Sequence, residues 1–150
     1  MKIVIQRVSK ASVTINQHKV AEIQGGLLIL LGIVNEDTQE DINWLVRKVV
    51  NLRIFNDAND VMNKSLIDID GNAIVVSQFT LHASTKKGSR PSYMKAAKPD
   101  VAISLYQQFI ASLETALNKK VQTGEFGADM KVELLNDGPV TIIMDSKVKE

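Results

Sequence analysis

Apolar and polar residues alternate near the start of the chain, the two-residue period of a half-buried strand. Over residues 2–9, Ile3, Ile5 and Val8 stand against Lys2, Gln6 and Arg7. Residues 10–24 predict a hairpin, with one arm in Ala11-Ser12-Val13-Thr14-Ile15, a polar turn in Asn16-Gln17-His18-Lys19 and a second arm in Val20-Ala21-Glu22-Ile23. Gly25-Gly26 breaks the chain. Residues 27–34 are then continuously apolar, as in a strand covered on both faces.

The period lengthens after Thr38, whose hydroxyl suits a helix cap, with Glu40 and Asp41 at the positive end of the dipole. Ile42, Leu45, Val46, Val49 and Val50 recur at helical spacing and form one stripe. Asn56-Asp57-Ala58-Asn59-Asp60 predicts a loop and Asp68-Ile69-Asp70-Gly71-Asn72 a turn. Residues 73–79 form a second apolar strand, and residues 82–98 are polar and irregular. A second helix starts at Pro99, which suits a first turn because its missing N–H has no partner there. Its stripe is Ala102, Leu105, Phe109, Leu113 and Ala116. Residues 132–135 and 140–144 predict two strands around the turn Asn136-Asp137-Gly138-Pro139. The order ββββ-α-β-α-ββ predicts an α+β fold with helices on one face of the sheet.

Composition narrows the function. The chain has 150 residues, the size of one domain, with ordinary globular content: 45% hydrophobic and 23% charged. It has no cysteine, which excludes a disulfide framework, a thiolate metal site and a cysteine nucleophile. The only histidines are His18 and His82, with no paired ligand spacing, so no metal or cofactor is implied. The apolar run at 27–34 is too short to span a bilayer, and the first residues lack a signal-peptide pattern. A cytoplasmic protein is expected. The net charge is +1, yet residues 83–99 hold Lys86, Lys87, Arg90, Lys95 and Lys98 and no acid. That split points to a local anion site. Gly88 frees the loop backbone and Tyr93 offers a stacking face, a combination suited to phosphate and a base, although charge runs also occur as plain solvated loops.

Chemistry has few places to sit. Ser77-Gln78-Phe79-Thr80-Leu81 ends a buried strand, where hydroxyls and backbone N–H groups can meet a developing oxyanion. A strand end that merely turns polar as it leaves the core would read the same. Gly124-Glu125-Phe126-Gly127-Ala128-Asp129-Met130 reads either as a loop presenting Phe126 or as a core plug. By pattern alone, Asn136-Asp137-Gly138-Pro139 is a plain turn. His82 is a candidate general base, with no acid placed in sequence to orient it. His18 reads as solvent-exposed.

Together these segments resemble the D-aminoacyl-tRNA deacylases, also called D-tyrosyl-tRNA deacylases, over essentially the whole chain. The resemblance rests on Gln6-Arg7-Val8 with Ala11-Ser12-Val13, Gly26-Leu27-Leu28, Arg53-Ile54-Phe55, Ser77-Gln78-Phe79-Thr80-Leu81, Gly88-Ser89-Arg90-Pro91-Ser92-Tyr93, Thr123-Gly124-Glu125-Phe126-Gly127-Ala128-Asp129-Met130 and Asn136-Asp137-Gly138-Pro139-Val140-Thr141. Each motif alone is weak; their number and order make the match specific. It implies a three-layer β/β/α subunit in a homodimer with the active site at the subunit interface. It implies hydrolysis of the ester joining a D-amino acid, or glycine, to the tRNA 3′ adenosine, sparing L-aminoacyl-tRNA. The site residues carried over are Ser77, Gln78, Phe79 and Thr80 at the reacting centre, and Phe126 and Met130 with them. Gly138 and Pro139, joined by a cis bond, would enter the partner's site, with Arg7 bracing them across the dimer. Lys86, Lys87 and Arg90 would meet tRNA phosphates.

A backbone wall suits that task, because many side chains must pass while one hand is refused. Two carbonyls at Gly138-Pro139 could accept the substrate ammonium and leave no room for an L side chain. Rejection by ~10⁴ needs only about 5.5 kcal/mol. Two mechanisms are open: Thr80 attacks the ester, or backbone N–H groups around 77–79 hold the oxyanion while the ribose 2′-OH assists water. The second needs no activated side chain, and no obvious base accompanies the Thr80 hydroxyl. A non-catalytic nucleic-acid-binding dimer is the alternative function.

Overall fold

The expected α+β class holds, but the strands divide differently from the hydropathy pattern: eight form where seven were expected, in the order βββ-α-βββ-α-ββ, and the first and last are much longer. The computed structural model describes all 150 residues. Strand β1 runs unbroken over Lys2–Ile15. A two-residue turn, Asn16-Gln17, with both φ angles positive (48° and 67°), leads into β2, His18–Ile23. Primed turns of this kind match the twist of the paired strands. Strand β3, Gly26–Gly32, lies antiparallel to the first half of β1, from Lys2 opposite Gly32 to Val8 opposite Gly26. Strand β2 occupies the same edge along the second half.

Helix α1, Gln39–Asn51, starts at Thr38, which with Asp41 forms a capping box. The short strands β4, Phe55–Asn56, and β5, Met62–Lys64, form a separate hairpin where the sequence suggested only a loop. Strand β6, Asn72–Ser77, is parallel to β3. It stops two residues earlier than expected, and Phe79–His82 turn as one 3-10 helix. Helix α2, Pro99–Leu117, begins at Pro99 as expected. Strand β7, Gln122–Thr123, then pairs in parallel with β6.

The expected hairpin over residues 132–144 does not form. Residues Lys131–Asp145 are one strand, β8, antiparallel to β1 along nearly its whole length. Both flanks of Asn136-Asp137-Gly138-Pro139 pair with the same edge of β1, so the segment is a bulge and not a reversal. Gln6 faces Thr141 and Val8 faces Asn136, leaving Arg7 alone opposite residues 137–140. A turn signature specifies a local departure from extended backbone; only the tertiary partner decides whether the chain returns.

Alternate residues of the sheet enter two cores. Ile3, Ile5, Leu27, Ile29, Leu31 and Val75 pack beneath α1 and α2 with Ile42, Leu45 and Phe109. Val8, Val13, Ile23, Leu28, Ile74 and Val76 pack on the other side, where β2 folds over the sheet. This is the three-layer arrangement, and it explains why residues 27–31 are apolar without interruption. On α2, Ala116 is exposed and Tyr106 is buried, so the stripe takes in Tyr106 and ends at Leu113, three positions before the expected end. The C-terminal residues, unassigned in sequence, dock on the body. Ser146 donates its N–H to the Met1 carbonyl at 2.9 Å, and the Lys147 ammonium reaches Asp41 at 2.8 Å.

Candidate active site

The parallel pairing of β3 with β6 carries Ser77 to the sheet's end, and the Gln78 N–H makes the last bond, 2.8 Å to the Leu31 carbonyl. The chain then winds into the 3-10 turn. Leu81 N–H bonds Gln78 O at 3.2 Å and Ala83 N–H bonds Thr80 O at 3.0 Å. The N–H groups of Phe79 and Thr80 have no backbone acceptor, as expected at the start of a helical turn. Gln78 is therefore engaged in the sheet, and the free amides lie one and two residues later. Gly32 makes this turn possible: a Cβ there would sit 3.0 Å from Leu81 Cβ and 3.1 Å from the Gln78 carbonyl.

The Thr80 hydroxyl accepts a hydrogen bond from the Gln78 side-chain amide. No carboxylate or imidazole bonds it. His82 packs on Gly32 with its Nε2 buried and without a partner. It makes no hydrogen bond to Thr80, so the structure gives it no role as a base for that hydroxyl.

Beside the turn is a cavity of about 370 Å³, lined among others by Leu31, Ser77, Phe79, Tyr93, Ala102 and Phe126. A second cleft of about 290 Å³ shares Ser77, Phe79 and Phe126 and adds Gln78 and Met130. The sequence candidates at 77–79, Phe126 and Met130 thus come together from β6, the 3-10 turn and the 124–130 loop. Phe126 lines the site as a ring and also packs against the main core, so both readings of it hold in part. Gly124 leaves the space that the Met130 thioether fills.

Aromatic rings frame the cavity. Tyr93 meets Phe79 edge-on, with centroids 5.0 Å apart. Tyr106 stands behind Phe126 at 5.9 Å and donates its hydroxyl to the Val75 carbonyl at 3.0 Å. Burial pushes the Tyr106 phenol up to about 12, so it remains a neutral donor. The sequence reading missed Tyr106, whose only signal was its place beside Leu105 on the buried stripe.

The 83–98 loop is pinched by reciprocal bonds between Ser84 and Ser92, at 2.8 and 2.9 Å. Lys86, Lys87 and Arg90 project from the enclosed segment into solvent and form no ion pair. They do not line the cavity, whereas Tyr93, Ala96 and Ala97, further along the loop, do.

Gly138 and Pro139 are exposed on the β8 bulge and joined by a cis bond. They line neither cleft of their own chain. Arg7 is 7% exposed and holds them from below. Its Nε donates to the Asp137 carbonyl at 2.9 Å, and its Nη1 donates to the Ile54 carbonyl at 2.6 Å and to Asn56 Oδ1 at 3.2 Å. This brace runs within one chain. The cause is the β1–β8 pairing, which sets Arg7 directly opposite the bulge.

A protein-family model described as D-Tyr-tRNA(Tyr) deacylase matches residues 4–145. The chain belongs to this family. It is 70% identical over its full length to a D-aminoacyl-tRNA deacylase of Flavobacterium psychrophilum, and 67% identical to one of Flavobacterium johnsoniae, in each case covering 100% of both chains. Among solved structures it is similar to a c-Myc DNA Unwinding Element Binding Protein, with TM-score 0.92 and 39% identity over 97% of this chain and 98% of the other. A probable eukaryotic D-amino acid tRNA deacylase shares the fold, with TM-score 0.83 and 16% identity over 95% and 97%. No helix is long and apolar enough to cross a membrane.

Proposed function

We propose that the protein hydrolyses the ester of D-aminoacyl-tRNA, and of glycyl-tRNA mischarged on a non-cognate tRNA, in the cytoplasm. It releases the free amino acid and tRNA and spares L-aminoacyl-tRNA. The observation that carries the reading is the full-length identity to proteins named D-aminoacyl-tRNA deacylase. The site geometry supports one course for such a reaction.

The terminal adenosine enters the cavity between Phe79 and Phe126, where ring faces suit a base. The ester carbonyl then lies beside the free N–H groups of Phe79 and Thr80, which stabilise the oxyanion. Water adds to the carbonyl carbon, assisted by the ribose 2′-OH. The bond from that carbon to the ribose oxygen breaks, and the ribose oxygen takes a proton. Thr80 positions the substrate and is not a nucleophile, since its one side-chain partner is an amide that donates to it. Lys86, Lys87 and Arg90 hold acceptor-end phosphates.

The wall that reads chirality comes from a second copy of the chain. Gly138-Pro139, exposed and outside both clefts of its own chain, presents its carbonyls to a partner's substrate ammonium. The free edge of β8 suits the homodimer: it is 15 residues long and exposes Leu135 and Ile143. Its outer edge is unpaired on both sides of the bulge, and an unpaired edge is a template for pairing.

The test is hydrolysis of D-tyrosyl-tRNA beside L-tyrosyl-tRNA, with enzyme far below substrate. Release of the D-form alone supports the reading; release of neither by the folded dimer removes it. The name of the 39%-identical relative favours one second reading, a nucleic-acid binder. That protein would bind tRNA or DNA with a steep salt dependence and no turnover.

A further inference from the structure

The hairpin of β4 and β5 lines neither cleft, yet it is tightly specified. Asp57 Oδ1 accepts the N–H groups of Asn59 at 2.8 Å and Val61 at 3.1 Å. Asn56 Nδ2 donates to Asp60 Oδ1 at 2.6 Å. That bond fixes the direction of the Asn56 amide and turns its oxygen to Arg7. The guanidinium is planar and forked, so holding one edge aims the other. One edge of Arg7 is held by the hairpin, through the Ile54 carbonyl and Asn56 Oδ1. The other reaches the Asp137 carbonyl beside Gly138, where even a Cβ would lie 2.9 Å from Arg7 Nη2. The Ile54 carbonyl alone is a single pivot; Asn56 supplies the second point that stops rotation.

We propose that Asn56 is a positioning residue for the Gly138-Pro139 element, acting through Arg7. The proposal rests on the reading that this element selects the D-substrate. It assigns the solvated hairpin a purpose: a backstop that keeps a buried cation in register with the bulge. Asn56 is itself exposed, so its replacement leaves the fold intact and any functional loss is not a folding loss.

The experiment is a double-mutant cycle of Asn56→Ala and Arg7→Lys, read by kcat/KM on D-tyrosyl-tRNA and by the D-to-L ratio. A lysine keeps the charge and cannot span both edges. Asn56→Ala is expected to melt within about 3 °C of the parent, as surface substitutions do. It is expected to lose about five-fold in activity and in the D-to-L ratio, the scale of one hydrogen bond. In the Arg7→Lys background it is expected to add nothing, because coupled residues fail to add. Equal losses in both backgrounds, or no loss in the parent, would overturn the proposal. Proton exchange at Arg7 Nε–H, followed by NMR, reads the placement without turnover: faster exchange in Asn56→Ala supports it and unchanged exchange sinks it. If Arg7→Lys leaves the D-to-L ratio untouched while exchange responds to Asn56, the chiral-wall reading fails and the placement of Arg7 by Asn56 stands.

Discussion

The Arg7 guanidinium and the Asp137 carbonyl lie 2.9 Å apart although 130 positions separate them in the chain. The contact exists because β8 runs beside β1 and bulges where Arg7 has no strand partner. Gly138 sits in the same pocket with φ at +137°, and an added Cβ would lie 2.8 Å from Val140 Cγ2 and 2.9 Å from Arg7 Nη2. Gly138→Ala therefore meets a backbone that L side chains rarely adopt and a neighbour that is itself fixed. The bulge must shift, with a strain of roughly 1–3 kcal/mol. The variant is expected to fold with a lowered melting temperature and to lose at least about ten-fold in D-tyrosyl-tRNA hydrolysis, since 1.4 kcal/mol is a factor of ten. Parent-like turnover with an unchanged D-to-L ratio would show that the bulge does not touch the reaction.

Thr80 is expected to be dispensable for bond cleavage. Its hydroxyl receives the Gln78 amide proton and has no base to relieve it of its own. Thr80→Ala should keep activity within about five-fold, the scale of one lost hydrogen bond. Trapping an acyl group on Thr80, by quenched mass spectrometry, would contradict the backbone mechanism.

Tyr106 tests whether the site depends on support from behind. Its hydroxyl anchors on Val75, two residues before Ser77, and its ring backs Phe126. Tyr106→Phe keeps the ring and leaves a buried carbonyl with one donor fewer, at about 1–3 kcal/mol. The expected result is a raised KM for D-tyrosyl-tRNA with kcat little changed, because the pocket beside Phe126, proposed to take the adenosine, loosens while the Phe79 and Thr80 amides stay. A loss confined to kcat would place Tyr106 in a different role.

How far the sequence reached follows from the range of each signal. Thr38, Pro99 and the two helix stripes act within a turn or two, and they placed both helices. The Ser77, Phe79, Phe126 and Met130 candidates converge as expected, because strand ends and glycine-flanked loops announce access locally. What was not legible depended on distant partners. Asn136-Asp137-Gly138-Pro139 carries a turn signature, and only pairing with β1 makes it a bulge. Likewise, nothing near Arg7 in sequence reports that its acceptors are Ile54, Asn56 and Asp137. The exposure of Ala116 in place of Tyr106 is smaller in scale: stripes give the helix face, and packing settles its edge.

The C-terminal dock predicts a stability profile with pH. Burial alone would raise the Asp41 carboxyl, but hydrogen bonds from Lys147, Ser146 and the Thr38 N–H outweigh it and hold it well below the usual carboxylate range. A depressed folded value means this contribution is complete above the unfolded value of about 3.9 and is lost as pH falls through the folded one. Lys147 shifts the other way, raised chiefly by its hydrogen bond to Asp41. Its contribution is complete below about 10.4 and is lost as pH rises through the raised folded value. Asp41→Asn keeps an oxygen for the Thr38 cap and removes only the charge. Urea midpoints at about pH 3, 7 and 11 check the signs, pH 3 and 11 bracketing the two unfolded values. The variant should lose most stability at neutral pH and less at pH 3, where the parent has surrendered part of the same contribution. It should also show a weaker fall at pH 11, because Lys147 no longer faces that carboxylate. An equal loss at all three would mean that Asp41 acts as a cap alone and that the lysine dock is idle.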